Sequence, residues 1–230
     1  ALLGLGAAAA QAPAPHPPLP PSKRAAGEAT VTARPDRAVI DIAVFTEAPA
    51  AQAAAAQNAT RLDAVLRAVK TAAGPAADIR TVSYSLDPNY RYPKPGGQPE
   101  LAGYTARNSI QVTTADLDSA GKIIDAATRS GANSIDRLQF TLKDDAAPRA
   151  EALRLAAAKA RTASEAIAAA LGVRIVRVLL AQEEGGGPEP VQPMFKMARM
   201  AESAVQAPTP VAPGTIEVRA GVTLTVEIAQ

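Results

Sequence analysis

Residues 214–228 read GTIEVRAGVTLTVEI, in which Ile216, Val218, Ala220, Val222, Leu224, Val226 and Ile228 alternate with Thr215, Glu217, Arg219, Gly221, Thr223, Thr225 and Glu227. A period of two sends the apolar set to one face of a strand and the polar set to the other. One buried face and one wet face fit an antiparallel sheet, because a parallel sheet is covered on both sides. A strand this long and regular also reads as an edge on which another chain could pair.

Working back from it, Ile40, Ile42 and Val44 alternate with Asp41 and Ala43 behind the turn signal Arg34-Pro35-Asp36-Arg37, and Val31 leads into that turn. Weaker strands are expected near residues 78–88, 101–114, 134–142 and 173–182. Three helices interrupt them. The first, about 49–73, carries Leu62, Val65, Leu66 and Val69 at helical spacing and stops near Gly74-Pro75. The second is expected to open at Asp116 as its N-cap, to present Leu117, Ala120, Ile124 and Ala127, and to end at Gly131. The third runs from about Asp145 to Leu171, with Leu153, Ala157, Ala160, Ser164, Ile167 and Leu171 as its buried stripe. These residues are mostly small, so the helix should lie close on its sheet. The element order is β-β-α-β-β-α-β-α-β-β, an α+β fold with antiparallel sheet and about three helices packed on one face.

Composition narrows the function. The chain has 24 Lys and Arg against 22 Asp and Glu, and the surplus is supplied by Lys23 and Arg24. A pI near 9.0 therefore marks a neutral body and not a surface built for nucleic acid. The absence of cysteine excludes disulfides, thiolate metal ligation and a thiol nucleophile. His16 is the single histidine and sits in a proline-rich stretch, so the folded body has no imidazole for a nucleophile–base pair. Gly185-Gly186-Gly187 runs into Pro188-Glu189 without the Lys-Ser/Thr of a phosphate loop. The acidic pairs Asp144-Asp145 and Glu183-Glu184 lie where solvation or helix capping accounts for them. No catalytic residue, resident metal or cofactor is expected.

The N-terminal run ALLGLGAAAA is too short to span a bilayer, and Ala8 and Ala10 are placed for cleavage before Gln11. Residues 1–12 are expected to be a signal-peptide remnant, 13–25 a proline-rich spacer, and 26–230 the folded body. With no cysteine to lipidate, the expectation is an exported periplasmic protein and not a lipoprotein.

Two asparagines fall on apolar faces: Asn58, one turn before Leu62, and Asn108, in register with Tyr104, Ala106, Ile110 and Val112. They read as buried amides satisfied by backbone groups. All four tyrosines, Tyr84, Tyr90, Tyr92 and Tyr104, surround a tip at Pro93-Lys94-Pro95-Gly96-Gly97, as in a long hairpin with aromatic pairs near its end. The connection at 183–213 holds every methionine, Met194, Met197 and Met200, beside Phe195. This strip could fold back on its own domain, adapt to a partner or neighbouring subunit, or hold Cu(I) and take up oxidant through its thioethers. Phe195, the three methionines, Tyr90 and Tyr92 are the candidate interaction residues.

The chain resembles the SIMPL-domain family, which includes the YggE-like periplasmic proteins and a periplasmic immunogenic protein. The resemblance rests on Gly27 through Pro35-Asp36, Asn58, Thr81 with Leu86, Pro88 and Tyr90, Gly103-Tyr104-Thr105-Ala106-Arg107-Asn108, Gly131-Ala132-Asn133-Ser134-Ile135, Leu171-Gly172 and Pro213-Gly214. It implies export, an α+β domain that can build ring-like or channel-like oligomers, and a loose association with oxidative or envelope stress. It supplies no catalytic residues. The expectation is thus a non-enzymatic, self-associating periplasmic protein, with copper or oxidant handling by the methionine strip as the alternative.

Overall fold

The computed structural model describes residues 20–91, 97–185, 188–189 and 209–230. In chain order the elements are β1 (Ser22–Ala33), β2 (Arg37–Ala48), α1 (Ala51–Ala73), β3 (Asp78–Arg91), β4 (Glu100–Thr114), α2 (Ser119–Arg129), β5 (Ser134–Thr141), α3 (Ala146–Ala170), β6 (Arg174–Glu184), β7 (Pro188–Glu189) and β8 (Ile216–Ala229). The α+β class and the expected order hold, with the two-residue β7 as an addition. β1 begins at Ser22, inside the segment expected to be a spacer, because Ser22 to Ala25 continue the register on β8 from Glu227 to Leu224.

The strands divide into two antiparallel sheets. One has the order β3-β4-β2-β5, and the other β1-β8-β6, with β7 also paired to β8. In the first, Ile40, Ile42 and Val44 of β2, Ile110 and Val112 of β4, and Phe140 of β5 face Val65 and Val69 of α1 and Ile123 of α2, all fully buried. Each such side chain contributes about 1.5–3 kcal/mol by leaving water. In the second sheet, Ala29, Val222, Leu224 and Val226 close on Ala156 and Ala160 of α3.

Three sequence expectations are corrected. β8 is no edge: β1 pairs along one side and β6 and β7 along the other. Alternation reports one buried face but not how many neighbours a strand has. The buried stripe of α3 is Ala152, Ala156, Ala160, Ser164 and Ala168, while Ile167 and Leu171 are exposed. The reason is the close approach at Gly27, where a Cβ would lie 2.3 Å from the Ala156 carbonyl oxygen. Only small side chains fit beneath a helix that near its strand, so the larger ones turn outward. Finally, α2 opens at Ser119 and not at Asp116. Asp116 starts the preceding turn through its carbonyl, which accepts from the Ser119 Oγ at 2.6 Å and the Ser119 N–H at 3.2 Å.

The first sheet and its helices occupy the chain between β1 and α3, so one half of the molecule is nested inside the other in sequence. The two linkers are tied at Asp36, whose N–H donates to the Thr141 carbonyl at 3.1 Å and whose carboxylate accepts from the Lys143 N–H at 2.7 Å. A third crossing is the strap that precedes β8. Thr209 donates from its hydroxyl and its N–H to the Asp125 carboxylate of α2, at 2.6 and 3.2 Å, and Val211 packs on the core of the first sheet.

Candidate functional site

Self-pairing requires a free strand edge, and among the described residues the outer strands are β1 and β6, with the short β7 following β6 along β8, in one sheet, and β3 and β5 in the other. β5 is short and carries Asp136 and Arg137, and β1 carries Lys23, Arg24 and Glu28, the kind of charge that blunts an edge. The other two are apolar. Val82, Tyr84, Leu86 and Tyr90 of β3 are exposed, as are Val176, Val178, Leu179 and Leu180 of β6. On β6 the register shifts between Ile175 and Arg177 and again between Val178 and Leu180, so Val176 and Leu179 have no partner residue on β8. Such bulges increase local twist and re-aim side chains. The run Val178-Leu179-Leu180 was the available sequence signal: three consecutive apolar residues cannot all face one side of a strand.

The hairpin expected around the tyrosines forms, with β3 and β4 paired from Asp78 against Thr113 to Arg91 against Glu100. Its aromatic residues do not oppose one another. Tyr84 lies opposite Asn108, Pro88 opposite Tyr104, and Tyr90 opposite Leu101. Tyr90 and Leu101 are each about half exposed, at 55% and 51%, giving the outer hairpin an apolar pair that nothing described covers. Tyr92, Met194, Phe195, Met197 and Met200, like His16 and the tip Pro93 to Gly96, lie outside the described residues. The connection expected at 183–213 is described only at 183–185, 188–189 and 209–213.

Asn58 is a buried cross-brace. Its Nδ2 donates to the Val44 carbonyl at 2.8 Å and to the Ala106 carbonyl at 2.9 Å, joining α1 to β2 and β4. The Asn58 and Asn108 Oδ1 atoms are buried and have no partner among the described residues.

The charged groups are arranged as surface pairs. Arg107 and Ser134 both reach Asp136, at 2.6 Å each. Burial alone would raise the Asp136 carboxyl, but those hydrogen bonds and the Arg107 charge hold it below the usual carboxylate range. The hydrogen bond from Arg154 likewise lowers Glu151, and the one to Glu183 raises Arg149. Arg149 reaches Glu183 at 2.6 Å, linking α3 to β6. Among the described residues no three His, Cys, Asp or Glu side chains are placed to hold a metal ion, and no helix is long and apolar enough to cross a membrane.

Between α3 and β6 runs a trough of about 590 Å³, floored by Leu224 and Val226 of β8. It exists because α3 lies over β1 and β8 and leaves the inner side of β6 open, so Val176 and Val178 stay about half exposed, at 51% and 54%.

Comparison with known proteins gives a consistent result. Residues 24–226 match the family profile described as "SIMPL: Protein of unknown function (DUF541)". The chain is 30% identical over 168 residues to the 26 kDa periplasmic immunogenic protein of Brucella melitensis, covering 72% of this chain and 67% of that one. It is 28% identical over 211 residues to the uncharacterized protein YggE of Edwardsiella ictaluri, covering 91% of this chain and 88% of that one.

Proposed function

The chain belongs to the SIMPL family, and from that premise we propose that it is an exported, non-enzymatic periplasmic protein that assembles with copies of itself and protects the cell envelope under stress, oxidative stress included. The periplasmic placement is supported by the Brucella relatives, which are periplasmic immunogenic proteins by name. The non-enzymatic reading is supported by the electrostatics, since the shifted groups Asp136, Glu151, Arg149 and Arg154 are each explained by a surface ion pair.

One observation carries the assembly: among the described residues, most of the exposed large apolar side chains lie on two strands at the sheet edges, β6 and β3. Unpaired N–H and C=O groups beside an apolar strip invite strand addition. Light scattering after size-exclusion chromatography should give a discrete mass of several subunits. Val178→Lys with Leu180→Lys should reduce that mass while the circular dichroism spectrum stays unchanged. A wild-type monomer at tens of micromolar concentration would overturn the assembly, and an unchanged mass in the double variant would remove β6 as its contact.

A further inference from the structure

The two apolar edges are complementary to each other. β6 of one copy and β3 of another can lie antiparallel with Glu184 opposite Asp78, Ala181 opposite Thr81 and Val178 opposite Tyr84. Inside that stretch each strand carries one extra residue, Leu179 on β6 and Val82 on β3. The two bulges therefore fall at the same height, and the alternation of faces stays in step across them. Past Val178, the second extra residue of β6, Val176, brings Arg177 opposite Ser85, Ile175 opposite Leu86 and Arg174 opposite Asp87.

The faces match as well. Val178 and Ile175 share a face with Val226 and Ile228, under α3, and Tyr84 and Leu86 share one with Asn108 and Ala106, under α1. Arg174 and Arg177 lie on the opposite, wet face with Ala229 and Glu227, as Asp87 and Ser85 do with Thr105 and Arg107. α3 covers β1 and β8, and α1 covers β2 and β4, so the helix-side faces of β6 and β3 are both left open. Tyr84 and Leu86 of the added strand would stand beside Val178 and Ile175, which line the trough. On the wet face, Arg174 and Asp87 have no ion-pair partner among the described residues of one copy, and the register sets them against each other. At the far end Glu184 meets Asp78, with Arg80 one wet-face step from both.

We infer that the partner of β6 is β3 of a second copy, added antiparallel in this register, with Arg174 of one copy paired to Asp87 of the next. The inference rests on the self-assembly proposed above and names its contact. Because the two strands differ, the contact is head-to-tail, and every copy offers one β6 and one β3 to its neighbours.

The chain has no cysteine, so Arg177→Cys with Ser85→Cys tests the register directly. Residues directly opposed on antiparallel strands lie about 4.5–5.5 Å apart at Cα, within disulfide reach. Mild oxidation of the double variant should give covalent multimers on a non-reducing gel. Their absence would overturn the register, and dimers from Arg177→Cys alone would overturn it by showing β6 against β6. Arg174→Glu and Asp87→Lys, both at exposed positions, should each lower the light-scattering mass toward that of one chain. An equimolar mixture of the two should regain the wild-type mass, because each variant supplies the charge that the other's altered strand needs. Loss of mass without recovery on mixing would overturn the head-to-tail pairing. An oligomer whose mass neither charge variant changes would overturn the register and leave self-assembly standing, whereas a monomeric wild type would overturn both.

Discussion

A single methyl group added at Gly27 has nowhere to go. Its position lies 2.3 Å from the Ala156 carbonyl oxygen and 2.4 Å from the Ala160 nitrogen, and both are backbone atoms that cannot rotate away. Gly27→Ala must therefore lift α3 from β1 and disturb the Ala29–Ala156–Ala160 contact and the Lys159 Nζ bond to the Glu28 carbonyl. Overpacking of this kind costs about 1–3 kcal/mol or more, which urea unfolding should register as a lower midpoint with an unchanged slope. Asn58 illustrates what one residue can and cannot announce. Its place on an apolar face was readable and its backbone partners were expected, yet which two carbonyls it meets depends on β2 and β4 lying side by side, 14 and 48 residues away.

At the scale of elements, legibility followed contrast. β8 stands out because Val, Leu and Ile alternate with Thr, Glu and Arg. Its partners were not visible, since strand pairing joins residues far apart in sequence, and so an interior strand was read as an edge. In α3 the buried stripe is four alanines and Ser164, with no large side chain to mark it, so the pattern pointed to Leu153, Ile167 and Leu171 instead, and the tight seat at Gly27 decided the matter. The apolar edge of β6 was legible only as an unpatterned run, and the trough beside it depends on where α3 lies. Pairings between strands can also be titrated. The Arg107–Asp136 bond joins β4 to β5 across β2, and the Asp136 carboxyl is held below its usual value. A carboxylate whose folded pKa is depressed adds stability above its unfolded pKa and loses it as pH falls through the folded value. Asp136→Asn should cost about 0.5–1 kcal/mol at neutral pH. The gap from wild type should narrow as pH falls below the ordinary aspartate value of about 3.9, measured by urea unfolding across pH.

At the scale of the whole molecule, the two halves are joined by the Asp36 knot and by the strap at Thr209 to Val211. The strap crosses α2 so closely that a Cβ on Gly121 would lie 2.4 Å from the Thr209 carbonyl oxygen. Gly121→Val is thus expected to detach the strap while leaving both sheets formed. Limited proteolysis should cut the variant faster near residues 209–213, with the strand and helix content by circular dichroism retained. Equal cutting rates would show that the strap does not depend on this contact.

The nesting of one half inside the other also sets an order in time. β1 finds its place against β8, with Ser22 opposite Glu227, so its hydrogen bonds wait for a strand made some two hundred residues later. The segment from β2 to β5 needs only its own residues to close its sheet and can do so while synthesis continues. Until β8 arrives, β1, α3 and β6 have no common strand to gather on, and their apolar faces stay open to other chains. Such long-range closure is slow and exposed to aggregation. For this architecture the dangerous interval is the last one, when half of the molecule is finished and the other half is still waiting for its central strand.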